Sequence, residues 1–307
     1  MGSTEHGVAV QSATNEPQKG PGLKVPHQLL GLTWWQLLLL AALILGLYHQ
    51  ITLDLARTWS RDENFSHGYF VPLFAGYVAW RNRHEIAAAP KQSSIWGAAF
   101  IAGSLLTLTV GILGSELFLS RTSLILLLGS MIIFFWGWKV FWKLAFPWAF
   151  LFLMVPIPAI IFNQITFPLQ LLASKLASGA LPLFGVPVLR EGNIIELPAM
   201  PLEVAEACSG IRSLLSLGTL AIIYGYFLET KISRRILLAL AAVPIAVAAN
   251  AFRIVGTGLL VQYWDPDKAL GFFHEFSGWV IFVVSLVMLL IVQRLMKLLD
   301  RFSPETN

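Results

Sequence analysis

Residues 236–261 read ILLALAAVPIAVAANAFRIVGTGLLV, an apolar run in which Arg253 is the single charged residue. A helix needs about 20 such residues to cross the hydrocarbon core of a bilayer. The whole chain has the same character, since 56% of its 307 residues are hydrophobic and only 12% are charged. Soluble domains carry about a quarter of charged residues. The composition therefore excludes a water-soluble fold and indicates an integral membrane protein.

Seven further segments are apolar in the same way. They are residues 34–53, 69–80, 95–113, 117–138, 144–162, 211–228 and 279–293. Together the eight segments predict an all-α polytopic membrane protein of about eight transmembrane helices. The segment 69–80 has only about a dozen residues, so a re-entrant segment is an alternative to a full crossing.

The polar stretches divide the chain around these segments. Residues 1–33 are rich in Gly, Pro, Ser and Gln, which predicts a disordered cytoplasmic tail. Residues 34–296 form the predicted transmembrane domain, and residues 297–307 a short cytoplasmic tail. Residues 163–184 predict an amphipathic helix along the membrane interface. Strand-like runs in 186–197 flank a turn at Gly192, which predicts a small extracytoplasmic hairpin before the helix at 211.

The distribution of Lys and Arg predicts the orientation. Short cytoplasmic loops carry an excess of these residues. With the N-terminus inside and eight crossings, Lys231, Arg234 and Arg235 fall in a cytoplasmic loop, and the next loop outward has only Lys268. The net charge of +4 is thereby assigned to loops at a lipid bilayer, and no nucleic-acid partner is expected.

The single cysteine, Cys208, stands just before the predicted helix at 211. The first turn of a helix offers free N–H groups and the positive end of the dipole. A thiol there forms thiolate more readily, and Arg212, one turn further on, adds positive charge. The alternative is that Cys208 is a small packing residue.

Two more residues share the side of the membrane predicted for Cys208. Arg253 lies inside an apolar helix, where a charge usually faces a cavity or a partner, although it could instead extend to the interface. Asn250, three residues earlier, is on the same helix face. His274 is predicted in the loop 262–277, where most histidines are merely solvated. A nucleophilic cysteine needs a base and an oxyanion donor, and His274 and Arg253 have that chemistry.

His67 is predicted to face outward as well. It is either a second base or a residue that fixes its loop by a hydrogen bond, and the second interpretation is favoured. A zinc site made of Cys208, His67 and His274 has suitable ligand types. None of the short ligand spacings is present, so no metal and no cofactor are predicted.

These motifs resemble the exosortase/archaeosortase family of membrane transpeptidases. The resemblance is carried by Glu-Ala-Cys-Ser-Gly-Ile-Arg at 206–212, Asn-x-x-Arg at 250–253 and His274. It also includes Asn-Phe-Ser-His-Gly at 64–68 and Pro-Ile-Pro at 156–158, and extends over about residues 59–279.

The resemblance implies a multi-spanning enzyme of the bacterial inner membrane with Cys208, Arg253 and His274 as its catalytic residues. Such enzymes form a thioester while cleaving proteins that bear a C-terminal sorting signal. That signal comprises a Pro-Glu-Pro motif, a transmembrane helix and a basic cluster. The resemblance further implies a link to exopolysaccharide systems, and it leaves the acceptor unknown. Arg212, Asn250 and His67 are candidates for substrate binding or support.

The residues alone leave a different class open. The chain could be a non-enzymatic component of a polysaccharide export or synthesis machine. Arg253 and Asn250 would then line a substrate path, and Cys208 would be incidental.

The charge distribution generates a topology prediction. Alkaline phosphatase fused at Gly192 or Asp267 should be active, because both positions are predicted outside, and a fusion at Thr230 should be inactive. Activity only at Thr230 would invert the orientation.

Overall fold

Helices dominate the part of the chain that the structure describes. The computed structural model describes residues 2, 33–204, 210–264 and 272–302, with backbone alone at 272–275, 277 and 299–302. It divides into two units, Met1–Gly46 and Leu47–Asn307. The predicted disordered tail, the loop 265–271 and Cys208 therefore lie outside the described residues, as does the end of the C-terminal tail.

The elements follow one another along the chain with short connections. The α-helices are α1 (Trp34–Arg61), α2 (Phe70–Arg81), α3 (Arg83–Ala88), α4 (Trp96–Leu113), α5 (Leu117–Trp136), α6 (Trp138–Phe150), α7 (Ala159–Ala180), α8 (Ile211–Leu228), α9 (Ile232–Tyr263) and α10 (Phe272–Phe302). Three 3₁₀ helices are η1 (Glu63–Tyr69), η2 (Leu151–Met154) and η3 (Leu181–Phe184). The strands are β1 (Leu189–Glu191), β2 (Ile194–Glu196) and β3 (Pro201–Glu203).

Six helices in the described ranges are long and apolar enough to span a membrane. They are α1, α4, α5, α8, α9 and the part Gly278–Leu298 of α10. A pair bent by 80°, Trp138–Met154 with Ala159–Phe184, qualifies together as a seventh. The all-α polytopic prediction is confirmed. The count of about eight is not, because α2 has only 12 residues.

The predicted helix 144–162 is wrong as a single element. Helix α6 ends at Phe150, η2 follows, and the next helix begins only at Ala159. Pro156 and Pro158 explain the break, because proline has no N–H to donate and disfavours the helical conformation in the residue before it. The chain turns sharply here and continues in α7, whose side chains Ala173 and Ala177 are buried under the small sheet.

The predicted hairpin is confirmed, and a third strand extends it. Strands β1 and β2 pair antiparallel, with Glu191 opposite Ile194 and a two-residue turn at Gly192, whose φ is +64°. Strand β3 pairs with β2 on its other edge. The buried Ile195 and Leu202 pack with α7 and with Ile254 of α9. The sheet is thus anchored on the half of α9 that carries Arg253.

Polar contacts tie the helices together near one end. Arg121, a buried residue in the second turn of α5, donates from Nη2 to Thr58 Oγ1 of α1 over 2.8 Å. Arg212 of α8 pairs with Glu63 of η1. The predicted threading, with the N-terminus inside, puts Arg121 and Arg212 on the same side of the membrane, and these contacts bring the beginnings of α5 and α8 to the end of α1 and to η1.

A second set of contacts joins the opposite ends. Glu229, which is 2% exposed, accepts a hydrogen bond from Gln293 Nε2 of α10 over 2.8 Å. Its backbone oxygen accepts another from Arg235 Nε, also over 2.8 Å. Arg234 Nη1 lies 3.7 Å from the Glu229 carboxylate. A buried carboxylate is stable only when it is paired and hydrogen-bonded in this way, and the cluster fixes α8, α9 and α10 to one another.

Candidate active site

The beginning of α8 packs against the middle of α9. Gly210 caps α8 in the left-handed conformation, with φ +79°. A Cβ on this residue would stand 3.0 Å from Cβ of Asn250. Only glycine satisfies both the positive φ and this approach. Asn250 is 2% exposed and thus forms part of the packed seat of α8.

The segment that contains Cys208 is held at both of its ends. On one side, the Val204 N–H donates to the Asn193 carbonyl oxygen over 2.9 Å, and Asn193 Nδ2 donates back to the Val204 oxygen over 3.2 Å. On the other side stands Gly210. Cys208 itself lies outside the described residues, but two residues of chain reach at most about 7 Å.

Arg253 lies on the side of α9 that faces the beginning of α10. Its side chain is half-buried, and its Nη2 is 3.6 Å from the place where a Cβ on Gly278 would stand. A Cβ at 278 would thus be in ordinary van der Waals contact with the guanidinium. Asn250 and Arg253 were predicted to share a helix face. In the structure Asn250 packs against the beginning of α8, and Arg253 extends toward α10.

Residue 274 belongs to a helix, so the prediction of a loop over 262–277 is wrong at this position. Helix α10 begins at Phe272, seven residues before the apolar run that predicted it. His274 therefore stands in the first turn, four residues before Gly278. Positions four apart lie on the same helix face. The backbone thus puts position 274 on the face that Gly278 turns toward Arg253; its side chain is outside the described part.

His67 is held by the backbone of η2. Its Nε2 lies 3.2 Å from the Leu153 carbonyl oxygen, which can only accept, so the neutral ring carries its proton on Nε2. Burial lowers the pKa of His67, and the backbone of Leu153 and Asn64 partly opposes the shift. Its Nδ1 is buried without a well-aligned hydrogen bond to any described residue. The contact with Leu153 favours the interpretation of His67 as a residue that fixes its loop.

Gly68, the residue after His67, completes this fixation. The Trp59 indole lies so close to the Gly68 Cα that a Cβ there would overlap it. The indole is itself held by a hydrogen bond from Nε1 to the Met154 oxygen, 2.9 Å long. The segment 64–68 is thereby locked between α1 and η2.

Arg212 is engaged at the surface. Its guanidinium pairs with Glu63, and 44% of its side chain is exposed. An exposed ion pair contributes only about 0–1 kcal/mol. Arg212 therefore holds η1 over the beginning of α8, in an environment where a charge costs little.

A cavity of about 910 Å³ joins these residues. His67, Gly210, Arg212, Arg253 and Gly278 all line it. Its wall thus includes the residue two positions after Cys208 and the residue one helical turn after His274. Four of the six predicted site residues have described side chains. Three of those line the cavity: His67, Arg212 and Arg253. Asn250 packs against Gly210, which also lines it.

A comparison with known families assigns the chain to a family. The family model described as transmembrane exosortase (Exosortase_EpsH) matches residues 59–291. The chain belongs to the exosortase family. The match begins at Trp59, the residue on which Gly68 packs, and ends within α10, so it contains every residue of the exosortase cavity described above. No curated protein and no solved structure matches the chain.

Several residues of the exosortase cavity were not predicted. Ser213, Ser216 and Thr219 of α8 line it, as does Glu63. The three hydroxyl residues recur every third position within an apolar helix, and this pattern could have revealed one polar face. Gly278 carries no comparable signal, because its role depends on the distance between α9 and α10.

The packing of Gly210 generates a prediction. Gly210→Ala should lower the amount of folded exosortase and the accessibility of its cavity, because a β-carbon there meets Asn250 and the left-handed conformation costs roughly 1–2 kcal/mol. Gly218→Ala, in the same helix with open space around it, is the matched control and should be neutral. Thermal unfolding of the purified protein in detergent measures both. Equal melting temperatures for the two variants would contradict the role of Gly210.

Proposed function

We propose that the chain is a cysteine transpeptidase that cleaves the C-terminal sorting tail of exported proteins at the outer face of the bacterial inner membrane. Cys208 is the nucleophile, His274 the general base and acid, and Arg253 the electrostatic partner. Exopolysaccharide systems are the proposed setting. The observation that carries the proposal is the position of Arg253. Its guanidinium stands at a cavity that Gly210 and Gly278 also line. Gly210 follows Cys208 by two residues in the chain, and Gly278 follows His274 by four.

The chemistry follows from the order of proton transfers. His274 takes the thiol proton of Cys208, and the thiolate attacks the carbonyl carbon of the scissile peptide bond. The tetrahedral intermediate collapses to a thioester as the C–N bond breaks, and His274 returns the proton to the leaving amine. An acceptor amine or water then attacks the thioester, releases the Cys208 thiol and completes the reaction. No cofactor is needed for these steps.

Arg253 has two roles open to it. The guanidinium can stabilise the oxyanion of the tetrahedral intermediate, or it can hold the Glu carboxylate of a Pro-Glu-Pro motif through two parallel hydrogen bonds. Both roles require a charge kept within the apolar body of the protein. The half-buried position in α9, ten residues before the helix ends at Tyr263, supports this requirement.

The orientation of the chain matches such a substrate. A tail with a basic cluster after its transmembrane helix keeps that cluster in the cytoplasm. The bond cleaved then lies at the outer surface. The sheet β1–β3 and Gly210 stand at the end of the molecule opposite to Lys231, Arg234 and Arg235, the residues that predict the cytoplasmic side.

The decisive experiment concerns Cys208. Cys208→Ser should insert into the membrane as the parent does but leave tail-bearing proteins uncleaved, because a hydroxyl is hardly ionised at neutral pH. Immunoblots of tail-bearing proteins against membrane-inserted enzyme measure this. Processing at the parental rate would rule out Cys208 as nucleophile. Absence of processing by the parent as well would favour the non-enzymatic component of a polysaccharide machine.

The two arginines at the cavity should differ. Arg253→Lys should lower the rate of processing by roughly 10²-fold or more, because an ammonium group cannot replace a planar fork of donors. Arg212→Lys should retain most of the rate, since a lysine can still pair with the exposed Glu63. Rates are normalised to the amount of inserted protein. A larger loss for Arg212→Lys than for Arg253→Lys would mean that the roles are reversed.

A further inference from the structure

We infer that the exosortase cavity continues into a groove along α8 that binds the transmembrane segment of the substrate. The groove is defined by Ser213, Ser216, Thr219, Leu220 and Ile223. This inference rests on the proposed function and names the part of the site that takes the membrane-embedded portion of the tail.

The cavity is elongated along one helix face. Its α8 lining runs from Gly210 to Ile223, which is about 20 Å at 1.5 Å per residue. The lining positions follow one another at intervals of three and four residues, so they form one continuous stripe. Phe70 of α2 and Phe282 of α10 stand at the two sides of the stripe. A peptide bond needs only the end near Gly210, so the remaining length calls for a longer ligand.

Several hydroxyl groups elsewhere in the membrane helices have acceptors in their own helix, although Thr122 of α5 is buried without one. In α4, α5, α7 and α10, hydroxyls donate to carbonyl oxygens of their own helix. Examples are Ser104 to Phe100, Ser130 to Leu126, Thr166 to Phe162 and Ser285 to Ile281, at 2.7–2.8 Å. Within the described residues, Ser213, Ser216 and Thr219 have no such bond. Ser216 and Thr219 thus line the cavity with no hydrogen bond to a described residue.

Thr219 gives the strongest indication of a ligand. It is only 6% exposed and yet lines the cavity, one helical turn after Ser216 and next to the apolar Leu220. A ligand that brings an acceptor to the cavity wall can pair with this hydroxyl. The position of Thr219 therefore favours an occupant with polar atoms inside the membrane.

A peptide helix fits these requirements better than a lipid. Acyl chains have no acceptors, so they would leave all three hydroxyls unpaired. A transmembrane helix with small residues on one face exposes backbone carbonyls and can approach closely, and Ser and Thr are the residues that bond across such interfaces. A helix in the groove would also be continuous with a scissile bond near Gly210, because both ligands would be parts of one chain.

Cysteine cross-linking tests the inference. In a Cys208→Ala background, Thr219→Cys is paired with a reporter protein that carries the sorting tail and a single cysteine placed at successive positions of its transmembrane segment. Leu240→Cys, on a 61% exposed position of α9, is the matched control. Oxidation in native membranes should give disulfide-linked enzyme and reporter at position 219 with a yield at least about tenfold above that at position 240. The yield should repeat every three to four reporter positions.

The conservative variant separates the hydroxyl from the shape. Thr219→Val keeps the volume and removes the donor, and it should slow reporter processing several-fold, whereas Gly218→Ala, which does not line the cavity, should leave the rate unchanged. Thr219→Leu should reduce the cross-link measured from Ser216→Cys, because it fills the groove.

The outcomes distinguish the two proposals. If the parent cleaves the reporter and Cys208→Ala does not, the proposed function stands. Equal cross-linking from positions 219 and 240 would then overturn the groove alone, and would point to lipid as its occupant. If the parent does not cleave the reporter, the proposed function fails and the groove assignment fails with it.

Discussion

The approach of Gly210 to Asn250 is the contact on which the geometry of the cavity depends. It fixes the first turn of α8 against the middle of α9, where a Cβ on Gly210 would stand only 3.0 Å from the Asn250 side chain. The chain before Gly210 is held by the hydrogen bonds between Val204 and Asn193. The small sheet thus holds the described end of the chain before Cys208, although its own strands do not line the cavity.

The two arginines illustrate how position determines what a charge can do. Arg212 is close to Gly210 in the chain, but its guanidinium pairs with the exposed Glu63. Solvent weakens this interaction. Arg253 is distant in the chain and is brought to the cavity by the packing of α8 and α10 on α9. A guanidinium that is partly withdrawn from water interacts more strongly with a developing negative charge. The fold stabilises this position of Arg253, since the buried cluster of Glu229 and Gln293 holds the same three helices together at their other ends.

Much of the fold could be predicted because membrane helices leave a direct record in the sequence. Apolar runs gave most of the spans, and Gly192 between strand-like runs gave the hairpin. The break at Pro156 was missed because hydropathy continues across it while the backbone does not. The early beginning of α10 was missed for the opposite reason: polar residues around His274 suggest a loop, although helices often extend past the hydrocarbon core. At the site, chemistry identified Arg253, but Gly278 and the seat at Asn250 depend on interhelical distances that no local pattern encodes.

Helix α8 unites the two halves of the proposed reaction. Its first residue follows directly on Gly210, and its face down to Ile223 carries the hydroxyl groove. A substrate helix bound there would therefore lie against the same backbone that leads to the proposed nucleophile. Each residue of helix corresponds to about 1.5 Å along the membrane normal. A substrate seated by contacts with Thr219 would consequently present one peptide bond, and few others, at the level of Arg253. In such an arrangement the enzyme would recognise both the motif at the outer surface and the transmembrane segment. The fixed distance between the groove and the mouth of the cavity would then determine which bond is cleaved.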